Sequence, residues 1–92
     1  MNDIFWTPEA IHDRDSIYDF IVVDNPTAAL ALDEHLEIQA SSLLDQPSLG
    51  RPGRVAGTRE WVAHPNYILV YDLTGECIRI LRVLHAAIQW PN

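Results

Sequence analysis

The 92-residue chain has no lysine, one cysteine and one methionine. With Cys77 alone, no internal disulfide can form, which fits a reducing compartment and predicts a cytoplasmic protein. No stretch approaches the roughly 20 apolar residues that a membrane-spanning helix needs. The N-terminus, Met-Asn-Asp-Ile-Phe-Trp, has no basic region ahead of an apolar run, so neither a secretory signal nor a membrane partner is expected. No Cys and His lie close together at ligand spacing, so no metal is expected. The glycine-containing stretch Gly50-Arg51-Pro52-Gly53-Arg54 lacks the Lys-Ser/Thr of a nucleotide-binding P-loop, and no cofactor is expected. No Ser-His-Asp arrangement stands out.

The lack of lysine leaves six arginines against thirteen acids, a net charge of −7. The imbalance is uneven. Arg14 is the only base in residues 1–46, which hold most of the acids, whereas Arg51, Arg54, Arg59, Arg79 and Arg82 all lie in the second half. An acidic first half argues against coating DNA. Arginine suits planar, two-pronged contacts with phosphate or carboxylate, so a local basic site in residues 51–82 is chemically reasonable.

Apolar residues make up 48% of the chain, which argues for a folded domain. Asp3 to Trp6 reads as a short strand. Thr7-Pro8-Glu9 then opens a helix: Thr7 can cap it, Pro8 suits the first helical position, and Glu9 favours the positive end of the dipole. Ala10, Ile17 and Ile21 share one face with Arg14, whose stem is expected to pack while its charge reaches water. Asn25-Pro26 repeats the cap-then-proline pattern. Ala29, Leu32, Leu36, Ala40 and Leu43 make the stripe of a second helix ending near Leu44. The short joint between the helices predicts an antiparallel hairpin.

Asp45 to Gly57 carries three glycines and two prolines and reads as a loop. Three strands follow. Thr58 to Ala63 ends at the His64-Pro65-Asn66 turn. Tyr67 to Leu73 is apolar enough to be covered on both faces. Cys77 to His85 returns after Thr74-Gly75, with Arg79 and Arg82 expected on opposite faces. The prediction is one domain over residues 1–92 with an α+β fold. It has an N-terminal strand and an antiparallel helical hairpin packed on one face of a mostly antiparallel four-stranded sheet.

Two groups of residues could carry chemistry. Arg51, Arg54 and Arg59 could bind anions, or could be solvated loop arginines. His64 and His85, at strand ends, could move protons near neutral pH, or could be ordinary half-buried residues. His12 and His35 lie on acidic helices and are expected to be solvated.

Taken in order, the chain resembles the RelE/ParE superfamily of bacterial toxins. The residues that carry the resemblance are Trp6-Thr7-Pro8-Glu9-Ala10, Asn25-Pro26-Thr27-Ala28-Ala29, Gly50 to Glu60, His64-Pro65-Asn66-Tyr67-Ile68-Leu69-Val70-Tyr71, and Ile80 to His85 with Trp90-Pro91 behind. The resemblance spans the full length. It implies the toxin of a type II toxin–antitoxin pair, often described as a plasmid-stabilisation protein. Its partner would be a cognate antitoxin encoded beside it, with operator DNA contacted only through that antitoxin. The superfamily has two kinds of target, DNA gyrase and ribosome-bound mRNA, and the mRNA cleavage needs no metal. The best-known nucleases carry an arginine directly before Leu-Val-Tyr of the central strand, where this chain has Ile68. They also carry a basic run after the last strand, where it has Ala86-Ala87. A second nuclease branch uses histidines, one of them at the place of His85. These departures favour a gyrase poison, with Arg51, Arg54, Arg59, Arg82 and Trp90 as target-binding residues. The alternatives are a nuclease in which His85 and His64 are catalytic, and a non-toxic interaction module.

Overall fold

The computed structural model describes residues 3–87. Strand β1 (Asp3–Trp6) leads into helix α1 (Pro8–Val22), and helix α2 (Pro26–Ser42) follows. Strands β2 (Arg51–Pro52), β3 (Arg59–His64), β4 (Tyr67–Thr74) and β5 (Cys77–His85) complete the order.

Both helix starts follow from their capping residues. Thr7 Oγ1 accepts from Ala10 N at 3.1 Å, and Asn25 Oδ1 accepts from Ala28 N at 3.0 Å. Pro8 and Pro26 each hold the first helical position. The Thr7 hydroxyl also donates to Leu81 O at 2.9 Å, tying the start of α1 to the sheet.

The five strands lie in the order β1-β5-β4-β3-β2. β1 runs parallel to β5, and the other pairs are antiparallel. The α+β class therefore stands, but the sheet has five strands where four were expected. The addition is β2, inside the segment read as a loop, pairing Arg51 with Glu60 and Pro52 with Arg59. A two-residue edge strand leaves almost no pattern in the sequence. Proline is tolerated there because its missing N–H falls on an edge.

One face of the sheet packs on the helices. Leu69, Tyr71, Ile78, Ile80 and Val83 meet Ala10, Leu36, Ala40 and Leu43 in the buried core. Both helical stripes take their expected place, with Leu32 and Ile17 partly buried beside it. Ile68 and Val70, on the other face of β4, are also buried, as expected of a strand covered on both sides.

The β4–β5 ladder shifts register after Val70: Asp72 pairs with Arg79 and Val70 with Arg82, leaving Leu81 as an extra residue in β5. Val70 and Asp72 are two apart and share a face, so Arg79 and Arg82 share it too. The simple alternation that put them on opposite faces fails because of this bulge. Thr74 pairs with Cys77, closing a tight turn in which Gly75 takes φ +58°, a backbone region that favours glycine. No helix among the described residues is long and apolar enough to cross a membrane.

Candidate functional site

The expected site residues fall at two ends of the sheet. At the first end, the segment from Pro47 to Arg54 is gripped by consecutive residues of β3 and by Tyr71 of β4. Adjacent strand residues point to opposite faces, so Arg59 and Glu60 hold the segment from both sides of the sheet. Arg59 Nη1 donates to the Gly50 carbonyl at 2.7 Å and lies 3.4 Å from Ser48 O. The Glu60 carboxylate, its side chain 1% exposed, accepts from Arg54 N at 2.9 Å and from Arg51 Nη2 at 3.2 Å, with Arg54 Nε at 3.4 Å. The Tyr71 hydroxyl accepts from Gly50 N at 2.9 Å and donates to Pro47 O at 2.8 Å. Glycine is required at position 50 by space: a Cβ there would lie 2.7 Å from Tyr71 Oη and 2.9 Å from Glu60 O.

These contacts shift the local titrations. Burial alone would push the Glu60 carboxyl up, but the Arg54 N–H, the Arg51 hydrogen bond and both guanidinium charges outweigh it. The carboxyl titrates below the usual carboxylate range. Burial raises the Tyr71 hydroxyl, against the opposing pull of Gly50 N–H and the Arg59 charge.

The remaining arginines are also engaged. Arg82 forms a two-pronged pair with Asp13 of α1, at 2.7 and 3.1 Å, and Asp13 also accepts from Val83 N at 2.9 Å. Arg79 pairs with Asp72 in the same two-pronged manner. Arg14 does not send its charge into water. It binds Asp33 at 2.9 Å, approaches Glu37 at 3.4 Å, and sits 4.4 Å above the Trp6 ring.

The second end holds the histidines. His64 and His85 flank Tyr67, with ring centroids 5.7 and 5.4 Å from it. The structure thus brings the two expected histidines to one aromatic residue. It adds His35, whose ring lies 6.2 Å from that of His64. His35 was expected to be solvated, but its Nε2 donates to the Ala63 carbonyl at 2.8 Å; a carbonyl only accepts, so Nε2 carries the proton. The available sequence clue was its position beside Leu36 on the buried stripe of α2. His64 Nδ1 accepts from Asn66 N and His85 Nδ1 from Ala87 N, which places the neutral-ring proton on Nε2 in both. Beside this row, Tyr67, His85, Val83, Ile17 and Phe20 line a groove of about 300 Å³, together with Asp13 and Arg82.

The arginines at 51, 54 and 59 therefore meet at one end, His64 and His85 at the other, and Arg82 lies at the groove beside His85. Trp90 lies outside the described residues. No group of three or more His, Cys, Asp or Glu among the described residues could hold a metal ion.

Against known proteins, the family model described as the ParE toxin of the type II toxin–antitoxin system, parDE, matches residues 4–90. The chain is similar to the putative toxin Y4kP of Sinorhizobium fredii, at 38% identity over 97% of this chain and 93% of that protein. It is similar to toxin RelE2 of Caulobacter vibrioides, at 34% identity over 95% and 98% of the two chains. Among solved structures, a chain of the chromosomal ParDE TA system from P. aeruginosa superposes with a TM-score of 0.82 at 30% identity, covering 90% of this chain and 94% of that one.

Proposed function

The chain belongs to the ParE toxin family of type II toxin–antitoxin systems, and from that premise we propose that it arrests growth by binding DNA gyrase and is neutralised by an antitoxin encoded beside it. Ile68 carries the choice of target. It is 5% exposed in the central strand, at the place where the superfamily's best-known nucleases have an arginine. An apolar side chain there can neither stabilise charge on phosphorus nor move a proton. A poison that works by contact needs a rigid surface instead. The clamped Pro47–Arg54 segment supplies one, with the Arg51 and Arg54 side chains 59% and 41% exposed. Trp90 is a second anchor in this reading, because aromatic residues dominate binding hot spots. Phe20, Val23 and Ile38 are exposed apolar side chains on the hairpin, which supports an antitoxin that covers part of it.

The test is expression followed by two assays. Growth arrest with inhibited supercoiling, intact mRNA and rescue by the neighbouring gene product is the expected result. Codon-positioned mRNA cuts with normal supercoiling would replace this reading with ribosome-dependent cleavage. The row of His64, Tyr67 and His85 is the observation that favours that second reading, with His85 and His64 as proton carriers.

A further inference from the structure

Glu60 is a buried carboxylate on β3, an unusual residue for a covered strand position. Taking a carboxylate out of water is costly unless it is paired and hydrogen-bonded, and an apolar residue would fill the same place in β3 without that cost. Its hydrogen-bond and ion-pair partners come from one short segment: the Arg54 N–H, the Arg54 Nε and the Arg51 guanidinium. The carboxylate therefore acts on the loop. It draws two arginines onto one anion while leaving much of both side chains facing solvent. Two positive charges against one negative leave a net single positive charge there, on a chain whose total is −7. Arginine side chains lose considerable rotamer freedom on binding, and holding them beforehand removes part of that cost.

We propose that Glu60 is a positioning residue of the toxin's target surface, locking Arg51 and Arg54 into one rigid fork that receives an anionic group of the target. This rests on the reading that the chain acts by contact through those arginines. Glu60 itself touches no target. Its neighbours complete the device: Arg59 and Tyr71 fix the carbonyl and amide of Gly50 on the helix-facing side, while Glu60 fixes Arg54 on the other. The backbone beneath the fork is thus held from both faces of the sheet.

A double-mutant cycle tests this. The four proteins are wild type, Glu60→Gln, the pair Arg51→Ala with Arg54→Ala, and the triple variant. Each is read as the concentration that half-inhibits gyrase supercoiling, with growth arrest on expression and thermal melting alongside. Glu60→Gln is expected to weaken wild type about tenfold and the arginine-less protein less than about twofold, the non-additivity of residues that act through one another. The same loss in both backgrounds would overturn the proposal, as would no loss in either. If the arginine pair can be removed without effect, the contact reading through this loop fails, and the proposal with it. If Glu60→Gln does not fold, side-chain N–H relaxation of Arg51 and Arg54 in the wild-type protein decides the matter. Rigid side chains support the fork, and order parameters below about 0.6 overturn it.

Discussion

The two ends of the sheet handle polar groups in opposite ways. At the loop end, Arg59, Glu60 and Tyr71 reach backbone atoms of Pro47 to Arg54 from both faces, and a buried charge is satisfied three times over. At the histidine end, the half-buried His64 and the exposed His85 lean on Tyr67, and each accepts a hydrogen bond from an amide two residues on. The contrast marks where the fold constrains its polar groups. A buried polar group left unmatched is expensive, so departures from these contacts at the loop end are costly. The amide–imidazole bonds of His64 and His85 lie in exposed surroundings, where water can replace them at little cost.

Substitutions should separate the ends by size of effect. Gly50→Ala is expected to be the most damaging, because its Cβ would press on buried Tyr71 and on the Glu60 carbonyl. Overpacking of this kind costs about 3 kcal/mol, and a chain of this length should lose more than about 10 °C in melting temperature. A melting point within a few degrees of wild type would show that the loop yields.

Tyr71→Phe comes next. It keeps the ring in the core but removes both hydroxyl bonds and strands the buried Gly50 N–H, at a cost of about 2 kcal/mol. Denaturant unfolding measures it directly. The same variant should also flatten the alkaline side of the stability profile. The raised Tyr71 hydroxyl favours the folded state below its ordinary range, and that contribution is lost as pH rises through its folded value.

The acid side belongs to Glu60. Its carboxyl titrates below the ordinary range, so the unfolded chain binds the proton first as pH falls. Its contribution is complete above the ordinary carboxylate range and lost on descent through the lowered folded value. Stability plotted against pH, from unfolding curves at stepped acid pH, should therefore fall less steeply for Glu60→Gln than for wild type. Parallel curves would remove Glu60 from the balance.

The smallest effects are expected at the other end. His85→Gln, at an exposed residue, should change stability by less than about 0.5 kcal/mol, and His64→Gln, at a half-buried one, by less than about 1 kcal/mol. They should also leave supercoiling inhibition largely intact. Loss of toxicity in a folded His85→Gln protein, with mRNA cleaved by wild type, would reverse the ranking of the two ends.

Much was legible in the chain itself, and for local reasons. Thr7-Pro8 and Asn25-Pro26 mark helix starts because a cap and a fixed φ act within one turn. The stripes from Ala10 to Ile21 and from Ala29 to Leu43 mark buried faces because helical periodicity is a property of neighbours. Cys77 to His85 is a strand over the residues its composition suggests. The ordered motifs also sufficed to place the chain in its toxin superfamily. How polar groups of separate elements meet was settled by the packing of those elements. The extra residue Leu81 turned Arg79 and Arg82 to one face, and Asp33, Glu37 and Trp6 captured the charge of Arg14. His35 left solvent for the Ala63 carbonyl. Glu60, an ordinary acid in the sequence, became the buried centre of the arginine loop. Each outcome depends on contacts made between separate elements or on a shift in ladder register, and the energy of a charge is set by what surrounds it, which no local pattern of residues records.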